Sequence, residues 1–437
     1  VDRGPPRRLL FFAYYFPPLG GAGSLRALSF ARHLPSLGWE VTVVTPRNGV
    51  YGVDPDLPTG PFPGVDIVRT GSWEPAVLLR KVRQSAKGGG GSGGEFVEEA
   101  RLGALGNAAR GLLRRLLYFP DSSRGWIRPA VAAARKAHAE RPFDAVLSSS
   151  PPVSAHLAAL RFRRATGIPW LADWRDAWTG RMDGPESVLA QARALEKELL
   201  TGAGGLSAAT EGLLRWVVER RGGPGVARAV RNGWEPADFD GAAPESGPGD
   251  AVLYAGTVYG ENQDLRAFFR ALGRCSAGPG GRPLVRILGK ADAATRGQAA
   301  ECGVDGKVEF AGFRPHGEVV AELRRARGLL LLGWSGRHAD AFTVFPAKTY
   351  EYLASGRPIL ALAGEDSEIR RILGGVPGVT VAAFEDEERI HAWLASVLGP
   401  GPPPGPTRGV ADPYTRAAQA AHLRDLLEEV RASGGRP

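Results

Sequence analysis

Sulfur is nearly absent from this chain: its 437 residues include two cysteines, Cys275 and Cys302, and one methionine. Two thiols are too few for a disulfide framework or a cysteine-based zinc site, and they suit a reducing compartment. Long apolar runs are missing as well. None approaches the ~20 consecutive apolar residues that a membrane-spanning helix needs. The opening residues, VDRGPPRRLLFF, have neither the apolar stretch nor the small-residue cleavage site of a secretory signal. The expected location is therefore the cytoplasm. Lysine is scarce, and arginine supplies most of a net charge of +9. That charge is compatible with nucleic acid, anionic lipid or phosphorylated small molecules and selects none of them, since arginine usage also follows genome composition.

Apolar residues are plentiful, at 43%, which is enough for packed cores and far from a disordered composition. The length argues for two domains. Residues 87–96 read KGGGGSGGEF. This resembles an inserted flexible linker standing in for a loop, with a natural Gly-rich loop as the alternative. The chain opens on Val1 and not on methionine, which suggests the same kind of intervention.

The first half alternates apolar runs with helical spacing. Strands are expected at 8–15, 40–45, 144–149, 169–172, 206–209 and 226–230. Helices are expected at 24–37, 153–166, 186–201 and from 211. Strand, loop, helix, strand is a βαβ unit and implies a parallel sheet. A Gly/Pro/Asp-rich stretch at 235–250 marks a domain boundary. A second series follows, with strands at 251–254, 284–288, 308–310, 328–332, 358–362 and 379–382. An amphipathic helix over 413–432 closes the chain, after a Pro/Gly run at 400–406. The expected domains are 1–235, 236–405 and a C-terminal segment, 406–437, that returns to the first.

Between the first strand and helix lies FPPLGGAG, residues 16–23. Glycines there let backbone N–H groups approach a phosphate, and a helix N-terminus favours negative charge. A dinucleotide fingerprint fits poorly. The third glycine of GxGxxG is missing, no acidic residue ends the second strand, and the Walker lysine is absent. A tight turn without a ligand is the alternative. The other informative stretch is FTVFPAKTYEYLASGRPILAL, residues 342–362. Pro346 can open a helix there and Gly356 can end it. Lys348 could then meet a diphosphate. Glu351, one turn on, can accept two hydrogen bonds from a ribose diol, or the two can be a plain surface pair.

Together FPPLGGAGSLRALSFARHLPSLGWEVTVVT, VRNGWEPADF, YAGTVYG and FPAKTYEYLASGRPIL resemble, in order and across both halves, the GT-B fold glycosyltransferases of the retaining family 4. The resemblance implies an α/β protein of two Rossmann-like domains facing across a cleft, with a C-terminal helix crossing back. It implies transfer of a sugar, with retention, from a nucleotide-diphosphate donor, a UDP-sugar foremost. The acceptor would be a small molecule, a glycan or a lipid-linked molecule, and neither metal, cofactor nor nucleic-acid partner is expected. Gly20 and Gly21 would sit at the donor diphosphate, with Gly256 and Thr257 on its other side. Phe345, Pro346, Lys348, Thr349 and Glu351 complete the donor motif, with Glu351 on the ribose. Lys290 and Arg337 are the candidates for the family's basic pair. One departure stands out: Thr343 occupies the place of the first Glu of the family's E-x7-E motif, which contacts the donor sugar. The family places no protein nucleophile with certainty, and the leaving phosphate can take the acceptor's proton. A nucleotide-sugar 2-epimerase of the same fold, or a non-catalytic binding protein, are the rival readings.

LADWRDAW, residues 171–178, ends a first-domain strand. Asp173, Arg175 and Asp176 are candidates for acceptor contact or proton handling, or else form a structural Asp–Arg pair. Ser149, Ser150 and His156 come from the preceding strand-to-helix turn, with a satisfied helix histidine as the alternative for His156. Asp54-Pro55-Asp56 has the D-x-D spacing of the metal-dependent GT-A glycosyltransferases but lies in a loop, so no metal site is expected. Residues 100–117, ARLGALGNAARGLLRRLL, could form a basic amphipathic helix that faces anionic lipid or lies on the first domain's surface.

Overall fold

The structure, a computed structural model, describes residues 6–47, 53–54, 57–74, 119–182, 184–223, 225–240, 251–260, 262–276, 278–335 and 343–434. The chain divides into two compact units, Val1–Val230 with Ala420–Pro437, and Arg231–Gln419. The glycine-rich run 87–96, the basic run 100–117 and Arg337 lie outside the described residues.

In the first unit the strands are β1 (Arg7–Phe12), β2 (Trp39–Pro46), β3 (Val65–Thr70), β4 (Ala145–Ser150), β5 (Trp170–Trp174), β6 (Gly205–Ala208) and β7 (Val226–Ala229). They form one parallel sheet in the order β3-β2-β1-β4-β5-β6-β7. The crossover helices are α1 (Ala22–His33), α2 (Ile127–Glu140), α3 (Ser154–Thr166), α4 (Glu186–Gly202) and α5 (Glu211–Arg221). Strands β1 and β4 are buried along most of their length, as a sheet covered on both faces requires. The strand order reverses between β1 and β4, and the loops leaving their carboxyl ends diverge, which is where such sheets accept ligands.

Strand β3 was not expected from the sequence. VDIVRT is an edge strand, half-buried and mixed in polarity, so it lacks the apolar run that betrays its neighbours. The helix expected over 24–37 ends as an α-helix at His33. A 3₁₀ turn, Pro35–Leu37, follows because Pro35 has no N–H to donate, and Gly38 closes it at φ 91°.

The core of the first unit includes Leu9, Phe11, Val41, Val43, Leu147 and Leu171, and it is completed from the far end of the chain. Leu423, Leu426, Leu427 and Val430 of the last helix, Arg416–Ala432, are fully buried in that core. At ~1.5–3 kcal/mol for each buried aliphatic side chain, the segment contributes as a core element does.

The second unit holds a six-stranded parallel sheet in the order β10-β9-β8-β11-β12-β13. Its strands are β8 (Val252–Ala255), β9 (Val285–Leu288), β10 (Val308–Gly312), β11 (Gly328–Leu332), β12 (Ile359–Leu362) and β13 (Val379–Ala382). Here the order reverses between β8 and β11. The helix expected from Pro346 begins at Thr349. The carbonyl of Pro346 accepts from Thr349 N at 3.0 Å, so residues 346–348 form a turn that leads into a short helix, Thr349–Ser355. Gly356 ends it in the left-handed region, at φ 69°. No described helix is long and apolar enough to cross a membrane.

Candidate functional site

At the carboxyl edge of the first sheet, Asp173 is completely buried. Its Oδ1 accepts from Arg26 Nη2 and Ser207 Oγ, both at 2.7 Å. Its Oδ2 accepts from Arg26 Nε at 2.9 Å and Ser149 Oγ at 2.7 Å. Burial alone would raise its pKa. The Arg26 charge and these hydrogen bonds outweigh burial and hold it below the usual carboxylate range. Asp173 is thus an internal counter-ion, with its lone pairs engaged by two hydroxyls and one bidentate guanidinium. The partner is Arg26 of α1 and not Arg175. Arg26 also donates to the carbonyl of Val230 at 2.7 Å. It thereby ties the glycine-loop helix to the end of the last strand.

Arg175 instead leans over the glycine loop. Its Nε donates to the Ser150 carbonyl at 2.9 Å, and its guanidinium carbon lies 5.8 Å from the Tyr15 ring centroid. A Cβ on Gly23 would collide with Arg175 Nη1, so this glycine makes room for a protein cation. Gly21 is the helix cap, exposed and at φ 95°, with Ser24 N donating to its carbonyl at 3.0 Å. The Gly20 carbonyl accepts from Ser24 Oγ at 3.3 Å. No acidic residue sits in the first turn of α1, so the loop is a positive corner. Asp176 is half-buried and is the main charge opposing the burial of Arg175.

His156, in the first turn of α3, is fully buried. Its Nδ1 lies 2.7 Å from Ser148 Oγ, which also accepts from Trp170 Nε1 at 2.7 Å. Its ring packs 4.5 Å from Trp174. Burial lowers its pKa to about 3, so it is a neutral ring at physiological pH. Asp54 is held by its backbone N–H to the Pro18 carbonyl at 2.8 Å, and Asp56 lies outside the described residues.

In the second unit, Gly256 follows β8 at φ 134°, and its N–H donates to the Leu288 carbonyl at 2.6 Å. A Cβ here would collide with Lys348 Nζ. Lys348 itself is 3.0 Å from Tyr254 Oη. Burial lowers its pKa to about 7, with Glu351 opposing the shift. Thr257 is half-buried beside it. Phe345 is buried against Tyr350, 5.5 Å between centroids. Pro346 forms the turn described above. Thr349 is fully buried, and its Oγ1 has no hydrogen-bond partner among the described residues. Lys290 is exposed, and its carbonyl accepts from Val258 N at 2.8 Å.

Glu351 is 14% exposed at its side chain, and no hydrogen bond satisfies its carboxylate among the described residues. Its nearest cations are Arg416 Nη2 at 3.7 Å and His316 Nε2 at 3.9 Å. Burial raises its pKa, against the pull of His316, Arg416 and Lys348. Asp238 holds His316 at 3.1 Å and raises the histidine's pKa in turn. The second unit therefore offers an ammonium beside a bare glycine turn, then a carboxylate with open lone pairs one helical turn further on. Such an array suits a ligand that is anionic at one point and carries a diol at the next.

Residues 21–233 match the family described as a glycosyl transferase 4-like domain. That part of the chain is a glycosyl transferase 4-like domain, and the protein is a glycosyltransferase. Its fold, two α/β units with parallel sheets, is GT-B. No curated protein matches the glycosyltransferase in sequence. Solved structures match it over nearly its full length. A sucrose-phosphate synthase from Thermosynechococcus elongatus superposes with a TM-score of 0.62 at 13% identity, covering 98% of this chain and 100% of that one. A glycosyltransferase involved in avilamycin A biosynthesis gives 0.56 at 14% identity, covering 98% of each. A lipopolysaccharide outer core galactosyltransferase gives 0.55 at 14%, covering 96% and 99%. A UDP-N-acetylglucosamine 2-epimerase from Listeria monocytogenes gives 0.53 at 12%, covering 99% and 98%. At these identities the likeness is one of fold.

Four residues that surround the candidate groups were not expected: Arg26, His316, Arg416 and Tyr254. Arg26 stood in view in the glycine-loop helix, but its partner lies 147 residues away. His316 and Arg416 reach Glu351 from separate helices, and nothing local in either stretch marks them. Tyr254 lies within YAGTVYG, where it reads as an ordinary strand residue of the glycosyltransferase.

Proposed function

We propose that the second unit of this glycosyltransferase binds a nucleoside-diphosphate sugar through Lys348, the Gly256–Thr257 turn and Glu351, and that the enzyme moves the sugar to an acceptor with retention of configuration. The observation that carries the reading is the pairing of a buried ammonium at a glycine turn with an unsatisfied carboxylate one turn away. Departure of the nucleoside diphosphate builds charge on the β-phosphate. A fixed ammonium aimed there lowers the barrier because it needs no reorganisation. Glu351 would hold the ribose diol and so set the donor's reach. The reading requires no metal, since protein cations and backbone N–H groups meet the diphosphate charge. It also requires no protein nucleophile, since the leaving phosphate can accept the acceptor's proton. Retention rests on the likeness to the family. A UDP-sugar is the first donor to test, because one protein of the same fold is described as acting on UDP-N-acetylglucosamine. Epimerisation is the second reading, favoured by that same neighbour alone.

The test is a thermal-shift panel of UDP, GDP, ADP and dTDP, with and without their sugars, run beside Glu351→Ala. We expect one nucleotide to stabilise the wild type and to lose that effect in the variant. Stabilisation that survives in Glu351→Ala would remove Glu351 from the site. Turnover of the donor sugar to its epimer without acceptor would replace transfer with epimerisation.

A further inference from the structure

We infer that Tyr254 is the positioning residue of Lys348, its ring face and hydroxyl oxygen together holding the ammonium against the Gly256–Thr257 turn. The importance of that position for a diphosphate rests on the donor site proposed above; the hold itself does not.

Tyr254 is 1% exposed and packs among Val252, Val258 and Leu265. Its hydroxyl has one proton, and the Thr257 carbonyl accepts it at 2.7 Å. The oxygen is therefore left as an acceptor. Lys348 Nζ lies 3.0 Å from it and donates to it, since the hydroxyl proton is already given to the Thr257 carbonyl. Nζ also stands 4.1 Å from the centroid of the Tyr254 ring, within the range of cation–π attraction. On the remaining side the absence of a Cβ at Gly256 gives it room. Ring, hydroxyl and glycine thus hold the ammonium on three sides. One of its three protons is used, and no other hydrogen bond to Nζ forms among the described residues. The other protons are available to an anion.

A tyrosine does here what an acidic partner would not. A carboxylate at the same place would neutralise Lys348 and compete with an incoming phosphate. A neutral hydroxyl and a ring face fix the position and leave the charge uncompensated. The charge that acts on Lys348 is that of Glu351, in the first turn of the helix that follows it. Tyr259 and Tyr352 act on Tyr254, and burial with these neighbours keeps its phenol protonated well above the ordinary range. The hydroxyl that joins Lys348 to the Thr257 carbonyl also couples the lysine to the turn. Losing one loosens the other.

The experiment uses the full chain in three forms, wild type, Tyr254→Phe and Tyr254→Leu, each with ¹³Cε-labelled lysine. Lysine is scarce enough for single resonances, and Lys348→Met identifies the Lys348 signal by its loss. Each form is titrated with pH, then with UDP, GDP, ADP and dTDP by calorimetry. We expect the Lys348 midpoint to fall in Tyr254→Phe, because an acceptor for the charged form has gone while the ring remains. We expect binding of the preferred diphosphate to weaken by about tenfold, and further in Tyr254→Leu. A purely structural tyrosine would lower the unfolding temperature and leave the Lys348 midpoint in place, and that result overturns the inference. A midpoint that moves while no diphosphate binds the wild type would sink the donor reading and leave Tyr254 as the residue that holds Lys348.

Discussion

The two units place an acidic residue near the carboxyl edge of a parallel sheet, and the two carboxylates fare in opposite ways. Asp173 accepts four hydrogen bonds, faces a bidentate arginine and is sealed from water. Glu351 accepts none among the described residues and has its nearest cations at 3.7 and 3.9 Å. Their pKa values move in opposite directions, down for Asp173 and up for Glu351. A buried charge whose bonds are all made contributes to the fold. A half-buried charge whose bonds are not made costs free energy until something completes it. Proximity to the carboxyl edge therefore does not make a residue part of the chemistry; the state of its lone pairs is the better guide.

The largest test of this contrast is Asp173→Ala. It leaves the Arg26 guanidinium buried without its counter-ion, and we predict a loss of ~3–5 kcal/mol in urea unfolding. A loss under ~1 kcal/mol would show that Asp173 is not the fold's counter-ion. Next comes Glu351→Ala. Here stability should hold or rise by up to ~1 kcal/mol, because a costly charge has gone, while affinity for the preferred nucleoside diphosphate falls by roughly 10–100-fold. The wild type should discriminate against the 2′-deoxy form of that ligand and the variant should not. Equal affinity of the wild type for both forms would remove the diol from Glu351.

Ser207→Ala is a finer probe, since it takes one of four donors from Asp173. We predict a loss of about 1.5 kcal/mol, with ligand affinity unchanged. The smallest effect concerns protons. Burial holds Lys348 near a pKa of about 7, so above neutral pH it is largely uncharged in the free protein. A bound diphosphate favours the charged form and raises that pKa, so binding at about pH 8 must take up a proton. The uptake should approach one proton per ligand and shrink toward pH 6, where the lysine is already charged. Calorimetry in buffers of different ionisation enthalpy measures it, and Lys348→Met should abolish the difference between the two pH values. Equal uptake in wild type and Lys348→Met would show that Lys348 does not meet the phosphate.

Most strands could be read because a parallel sheet covered on both faces demands apolar runs, as in RRLLFF and GLLLL. Strand β3 escaped because an edge strand makes no such demand. In the candidate sites, the residues with a local signature were legible. Gly20 and Gly21 stand between a strand and a helix, and Lys348 and Glu351 are separated by one turn. The residues that decide what those groups do were not. Arg26 meets Asp173, and Arg416 meets Glu351, only after the chain has folded across long separations. Arg175 looked like the neighbour of Asp173 because the two are close in sequence. Residues two apart on a strand share a face, but β5 ends at Trp174, and beyond that end the two part, Asp173 inward to Arg26 and Arg175 over Gly23.

The first sheet is made early and finished late. Its strands leave the ribosome within the first 230 residues, but Leu423, Leu426, Leu427 and Val430, which close its core, come from the last part of the chain. During synthesis the first unit must wait with an uncovered apolar face while the whole second unit is translated. At ~5–20 residues per second, that wait lasts on the order of ten seconds or more. A nascent chain of this kind is open to capture by chaperones or by its own neighbours, and removing the final helix would make that interval permanent.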